Sequence, residues 1–338
     1  MTPHLSVVMP VWNAAETVAA AVASVRAQTL APWELIVVDD GSDDATADAV
    51  EQASVGDARI RLLRRGHAGI VAALSAGLSD ARAPLIARMD ADDVMHPDRL
   101  AAQIALLDAR PEVGVASCRV EFGGDRAASR GYAVHVDWIN SLVEPDEIAR
   151  ARFVESPIAH PSVMFRREVI DRHGGYAEGP FPEDFELWLR WMDAGVRFAK
   201  VPAVLLRWND PPARLSRTDP RYGEGAFYAC KCRYLARWLS AHVVPTRAIL
   251  LWGAGRITRR RFAALAAHGV RLAGYIDIDA RKIGTLVAGL PVLAPRDIPP
   301  REGCFVVGGV GVRGARDLHR ATLVSRGFVE GADFIFAA

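Results

Sequence analysis

Residues 5–11, 35–38, 60–63 and 85–89 are short apolar runs, and each is followed by a stretch able to form a helix. Runs this short, without alternating polar positions, mark strands covered on both faces, as in a parallel sheet. Strands that alternate with helices need right-handed crossovers between them. The chain is therefore expected to open with an α/β domain built on a mostly parallel central sheet. In such sheets ligands bind beyond the carboxyl ends of the strands. Pro10-Val11-Trp12, Asp39-Asp40 and Asp90-Ala91-Asp92-Asp93 all fall at those ends, so the three clusters should meet in one crevice.

The last cluster is the most informative chemically. Three carboxylates within four residues repel one another, and a hard divalent cation such as Mg²⁺ or Mn²⁺ removes that cost. Mg²⁺ is usually held by one or two carboxylates together with substrate phosphates, so this stretch is expected to hold a metal that in turn holds a diphosphate. The simpler reading has Asp93 capping the helix that opens near Pro97, but a cap needs one acid, not three. Other acids also read as caps. Glu16 occupies the capping-box position of a helix starting near Ala14, and Ser42 or Asp43 would cap a helix over 43–52. Strands are expected at 113–117, 119–122 and 159–165. His160 in the last of these reads as a buried, hydrogen-bonded side chain, with substrate contact as the alternative. A helix should begin near Glu183, with Asp184, Trp188 and Trp191 on one face. Acids in that first turn stabilise the helix dipole, which would lower the pKa of Asp184.

Bulk properties narrow the function classes. A net charge of +1 argues against nucleic acid as a partner, yet from Arg247 onward 14 Lys/Arg face 7 Asp/Glu. The 338 residues suffice for two domains. Cys118, Cys230, Cys232 and Cys304 show no CxxC spacing and read as free thiols of a reducing compartment. The beginning of the chain has no basic region followed by an apolar core, and no apolar run reaches ~18 residues. A cytoplasmic protein is the expectation, with peripheral contact at the inner face of a membrane left open. The helical stretch 227–243 carries Tyr228, Lys231, Arg233, Tyr234, Arg237 and Trp238. It suits a membrane surface or, preferably, an interdomain helix that buries Tyr234, Leu235 and Trp238 beneath Arg stems.

Pro10-Val11-Trp12-Asn13, Val38-Asp39-Asp40-Gly41-Ser42 and Ala87-Arg88-Met89-Asp90-Ala91-Asp92-Asp93 occur in order, and together they resemble the nucleotide-sugar half of a family-2 glycosyltransferase. The resemblance implies the GT-A (nucleotide-diphospho-sugar transferase) fold, here over residues 1–225, and Mn²⁺ or Mg²⁺ as cofactor. It implies donor contacts from Pro10, Val11, Trp12, Asn13, Glu16, Asp39, Asp40, Arg88, Asp90, Ala91 and Asp92, with the metal on Asp92 and Asp90. Arg88 would meet the diphosphate, or else simply pair with its acidic neighbours. The Glu-Asp pair falls on Glu183 and Asp184, which makes Asp184 the catalytic base and Glu183 an orienting residue for the acceptor. Where many relatives carry a His near the diphosphate, this chain has Trp208-Asn209. The Gln-x-x-Arg-Trp signature of processive relatives is missing. The implied partners are a nucleoside diphosphate sugar and a glycan or lipid-linked acceptor.

After the linking helix at 226–245, the strand at 248–252 runs into Gly253-Ala254-Gly255, a helix is expected over 259–268, and the strand 272–276 ends in Asp277. That is the layout of a Rossmann-type phosphate loop, although Thr258 stands where a third glycine would be. A smaller Rossmann-like domain over 246–338 is expected, with Gly253, Gly255 and Asp277 as a nucleotide site. Gly274-Tyr275-Ile276-Asp277 and Gly289-Leu290-Pro291 resemble the nucleotide-sugar-binding domain of bacterial sugar acetyltransferases. Two other function classes stay open. A sugar-phosphate nucleotidyltransferase would usually show a glycine-rich loop after the first strand, and a non-catalytic assembly subunit would bind nucleotide sugar without needing Asp184.

Overall fold

The computed structural model describes residues 3–30, 32–211 and 214–338. Contacts divide the chain into two units, each considered by itself. The first comprises residues up to 149, 157–179 and 183–218; the second comprises 150–156, 180–182 and 219–338.

The first unit holds strands β1 (Leu5–Val11), β2 (Trp33–Asp39), β3 (Ile60–Arg64), β4 (Leu85–Arg88), β5 (Val94–Met95), β6 (Val113–Phe122), β7 (Met164–Arg166) and β8 (Arg197–Trp208). They form one mixed sheet in the order β3-β2-β1-β4-β7-β6-β8-β5. β1 lies parallel to both β2 and β4, and β2 parallel to β3. β7 runs against β4 and β6, while β6 and β8 are parallel over a shifted register. Every residue of β1 and β2 is buried, because helices cover both faces and successive side chains enter opposite cores. Val7, Met9, Leu35 and Val37 join Val22, Leu100 and Ile104 on one face. Val8, Ile36 and Val38 join Leu74, Trp188 and Trp191 on the other. Val11 lies opposite Asp39, and Val8 opposite Arg88. The carboxyl ends that carry the acids therefore sit side by side.

Several local expectations need correction. The first helix spans Val18–Arg26 and has no side-chain cap, so Glu16 precedes the helix and closes no capping box. The second spans Thr46–Ser54 with Ala45 at its cap position, so neither Ser42 nor Asp43 caps it; the Ser42 hydroxyl and the Asp43 amide bond Asn13. Residues 113–122 form one continuous strand rather than two. The 159–165 stretch is a 3₁₀ turn, His160–Ser162, followed by the short β7. The Asp93 cap is also overturned. The next helix begins at Arg99 with Asp98 at its cap position, and Asp93 turns toward Asn209.

The second unit carries β9 (Ala248–Trp252), β10 (Leu272–Ile276), β11 (Leu286–Val287), β12 (Leu290–Leu293), β13 (Cys304–Gly308) and β14 (Phe334–Phe336). Their order is β11-β12-β10-β9-β13-β14, and every pairing is parallel except β11 with β12. The helix expected over 259–268 is two pieces, Arg256–Phe262 and Ala264–Ala267. Gly253 has φ +124°, which suits its tight turn. Asp277 closes this loop upon itself. Its carboxylate accepts the Ala254 amide at 3.0 Å and the Asp279 amide at 2.9 Å, and it pairs with Lys282. The helix Glu224–His242 buries Tyr234, Leu235 and Trp238. Lys231 is buried with them, donates to the carbonyls of Val154 and Ala337, and lies 4.1 Å from the Tyr228 ring centroid. Among the described residues no helix is long and apolar enough to cross a membrane.

Candidate active site

At the end of β1 the chain turns sharply. Asn13 adopts φ +49°, a conformation that Asn tolerates better than most residues. Two bonds hold it there, from its own amide to Ser42 Oγ at 2.9 Å and from the Asp43 amide to its Oδ1 at 3.0 Å. Pro10 and Val11 are buried, so they shape the strand end from beneath. Trp12 is 54% exposed and stacks on His67 with centroids 4.7 Å apart. Glu16 is exposed at the margin of this turn.

The two acids after β2 behave differently. Asp39 is buried and accepts the Ser42 amide at 3.0 Å, which shapes the loop. Asp40 receives the amides of Ala68 and Gly69, at 3.2 and 2.7 Å, and faces His67 Nδ1 at 3.0 Å. It anchors the neighbouring loop. Gly41 is required at its side, since it adopts φ +76° and a Cβ there would sit 2.6 Å from the His67 nitrogen.

The end of β4 concentrates the charge. Asp90, Asp92 and Asp93 each offer a carboxylate oxygen, and these atoms all lie within 4.8 Å of one another. Ala91 is buried between them and fixes the loop. Burial first, and then the charge of Asp90, push Asp92 up to about 6 against the pull of Arg214 and Arg88. The same two causes together with Asp92 push Asp93 well above the usual carboxylate range. Asp93 is 1% exposed. Its Oδ1 accepts the Asn209 amide at 2.8 Å, and its Oδ2 has no partner among the described residues. A buried carboxylate oxygen with no donor needs either a proton or a cation. The three acids thus fit a hard divalent ion, and Asp93 joins the expected pair. Asn209 completes the loop by donating its side-chain amide to the Asp92 carbonyl at 2.6 Å. The position where relatives carry His therefore braces the acidic loop.

Arg88 is buried and ion-paired with Asp90, yet its Nε finds no acceptor among the described residues. Burial works against its charge, but Asp90 outweighs burial and holds its pKa above the ordinary value. Both roles expected of it are therefore compatible, because one edge pairs while another N–H stays available. Beneath it lies Arg99, fully buried, which donates to the Arg88 carbonyl at 2.9 Å and to Gln103 at 3.0 Å.

The helix Glu183–Asp193 brings the second pair of acids. The Asp184 carboxylate accepts the Phe185 amide through Oδ1 at 2.7 Å. Burial, and then Glu183 beside it, push Asp184 up to about 7, with Arg88 and the Phe185 bond working the other way. The helix dipole was expected to lower it. Desolvation and a like charge win, and the result is a carboxylate poised near neutrality. His160 is buried, and its Nε2 lies 2.6 Å from the Tyr176 hydroxyl. Burial and the nearby Arg88 keep it well below the ordinary imidazole value, hence neutral.

Sequence reasoning noted Asn209 only as a departure from the His of many relatives, and it missed Arg99 and Tyr176. Only Asn209 left a signal, as a polar residue at the end of β8. The other two act through contacts between segments distant in sequence.

Residues 6–174 match glycosyl transferase family 2. The chain is 31% identical over 259 residues to a putative glycosyltransferase, EpsE, of Bacillus subtilis, which covers 73% of this chain and 88% of that one. It is 28% identical over 213 residues to the UDP-Gal:alpha-D-GlcNAc-diphosphoundecaprenol beta-1,3-galactosyltransferase of Escherichia coli, covering 61% and 74%. Among solved structures, residues 1–349 of S. aureus TarS in complex with UDP-GlcNAc superpose with a TM-score of 0.57 at 17% identity, over 70% of this chain and 66% of that one. The mannosyltransferase PcManGT of Pyrobaculum calidifontis, in complex with GDP-Man and Mn²⁺, gives 0.50 at 22%, over 71% and 64%. These likenesses bear out the GT-A fold. The family match ends at residue 174, and the resemblance of the second unit to sugar acetyltransferases gains no support from it.

Proposed function

The chain belongs to glycosyl transferase family 2 and is a glycosyltransferase, and we propose that it moves a hexose from a nucleoside diphosphate to a hydroxyl acceptor by a single, inverting displacement. The family match removes the ground for the nucleotidyltransferase and non-catalytic alternatives. Asp39 and Trp12 would meet the ribose and base of the donor, with Asp40 acting through the loop it anchors. Asp92, Asp90 and Asp93 would hold Mn²⁺ or Mg²⁺. When bound there, the ion supplies Lewis-acid stabilisation of the charge that develops on the diphosphate. Arg88 donates its unpaired N–H to a diphosphate oxygen.

Asp184 carries the reading. A base at about 7 is half ionised at neutral pH, where general-base catalysis works best. The acceptor proton passes to Asp184 as the acceptor oxygen forms its bond to the anomeric carbon. The bond from that carbon to the diphosphate breaks, and its electron pair leaves on the phosphate oxygen. Glu183 raises the basicity of Asp184 and helps to orient the acceptor.

The acceptor class follows from chemistry shared with relatives. The E. coli relative is named for a diphosphoundecaprenol-linked sugar, and a lipid-linked or free glycan of a surface polysaccharide offers the hydroxyl that such a base would deprotonate. A lipid-linked acceptor would bring the protein to the inner face of the membrane. A nucleotide site at Gly253 and Gly255 is a further proposal, and Asp277 would have to release the Ala254 amide to serve it. Both Asp92→Ala and Asp184→Asn should abolish transfer, read by mass spectrometry of the product, while circular dichroism stays unchanged. Full turnover by Asp184→Asn would remove the base assignment.

A further inference from the structure

We infer that the Tyr176 hydroxyl, locked in place by His160, hydrogen-bonds one hydroxyl of the transferred sugar and so sets which hexose is accepted. This inference rests on the transfer reading above and deepens it.

The position comes from two anchors. The glycines before Tyr176 are tied to the helix that bears Asp184, and its partner His160 opens the turn that leads into Val163, whose carbonyl accepts the Arg88 amide at 2.9 Å. Arg88 and Asp90 belong to the side where the diphosphate leaves, while Asp184 and Glu183 belong to the side where the acceptor attacks. In a displacement the transferred sugar lies between leaving group and nucleophile. A group tied to both sides lies alongside the sugar.

The loop that carries Tyr176 is held rigidly. Trp191 Nε1 donates to the Gly174 carbonyl at 3.0 Å, and Arg190 Nη2 donates to the Gly175 carbonyl at 2.6 Å. Both donors come from the helix that bears Asp184, so hydroxyl and base keep a fixed separation. Such fixing is what a precise substrate contact requires. His160 Nε2 sits 2.6 Å from the phenol oxygen, and its ring meets Trp188 edge-on at 5.8 Å. A phenol has one proton and two acceptor sites. One bond to His160 therefore leaves it free to bond a sugar hydroxyl. A site needing only bulk here could use Phe without enclosing a neutral imidazole, since a buried polar pair costs desolvation.

The test crosses Tyr176→Phe with donors lacking one hydroxyl each. UDP-Gal, UDP-Glc, UDP-GlcNAc and GDP-Man are screened with Mn²⁺, and the deoxy series of the accepted donor is then assayed for kcat/KM. A site built to bond a hydroxyl rejects the analogue without it. The wild type should therefore lose about tenfold or more with one deoxy donor. Tyr176→Phe should lose a similar factor with the intact donor, yet treat intact and deoxy donors alike within about twofold, the signature of a coupled pair. Binding of the free nucleoside diphosphate, by calorimetry, should stay unchanged. His160→Phe should weaken the coupling, and His160→Gln should restore part of it, as expected of a positioning residue. The inference is overturned if Tyr176→Phe slows every donor equally. Equal use of all deoxy donors by the wild type overturns it without any variant having to fold. No turnover by the wild type with any donor and glycan acceptor would defeat the transfer reading, and this one with it.

Discussion

Replacing Asp184 by Asn should inactivate the enzyme and make it harder to unfold, and both effects follow from one number. An Asp at about 7 in the folded chain and about 3.9 unfolded binds its proton more tightly when folded. Stability linked to this group is fully present below about pH 4 and is lost as pH rises through about 7. The gap of about three pKa units corresponds to ~4 kcal/mol at pH 8, a ceiling because the carboxylate keeps some contact with water. Asn removes the ionisation. The variant should melt later than the wild type at pH 8, and the difference should shrink to about 1.5 kcal/mol at pH 5 and vanish below about pH 4. Activity runs in the opposite direction. The ionised fraction of a base at about 7 is about 0.09 at pH 6, about 0.5 at pH 7 and about 0.9 at pH 8, so kcat/KM should climb about tenfold between pH 6 and 8. Asp92, at about 6, adds a loss on the acid side through competition between proton and metal. Saturating Mn²⁺ suppresses that part and leaves the Asp184 limb. The assay is initial nucleoside diphosphate release with acceptor present, over pH 5–9, beside melting curves at each pH. A flat profile from pH 6 to 8 at saturating Mn²⁺ would refute the reasoning, as would an Asn variant less stable than wild type at pH 8.

Asp93→Asn should weaken Mn²⁺ binding at least about tenfold, measured by calorimetry, while full affinity would show that Asp93 stands outside the metal shell. Asn209→Ala frees the Asp92 carbonyl while keeping the backbone amide that serves Asp93, and should lower kcat/KM by about 10²-fold with little change in melting temperature. Arg99→Met leaves the Arg88 carbonyl and Gln103 without a donor deep in the core. It should cost about 3 kcal/mol in urea unfolding; a loss under 1 kcal/mol would show that the core reorganises. Trp191→Ala, which empties a fully buried site, should cost about 3–5 kcal/mol by the same measurement.

The sheet was legible because β1, β2 and β4 are covered on both faces and must be apolar throughout. The edge was harder. β5 has two residues and β7 three, too few for any periodicity to register. Helix starts were misplaced by a few residues because Ser42 and Asp43 bond the Asn13 turn, while Asp44 bonds both the Ala15 amide and Thr46 of the local helix. That competition is tertiary. The acids at 39, 90, 92 and 184 stood out as chemistry at strand and helix ends, but their charge states did not. The rise of Asp184 depends on how deeply the helix start is buried, and Tyr176 comes into play only once a glycine loop is tied to Arg190 and Trp191.

The bracing of Asp92 and Asp93 by Asn209 has a consequence in time. The acids leave the ribosome more than a hundred residues before the amide that seats them, and chains grow at about 5–20 residues per second. For several seconds the nascent polypeptide carries a cluster of unbalanced carboxylates with no finished seat for an ion. A metal-ready centre is thus deferred until β8 has closed against β5, so premature termination upstream of that strand would yield a product that lacks both a strand of its sheet and the seat of its metal.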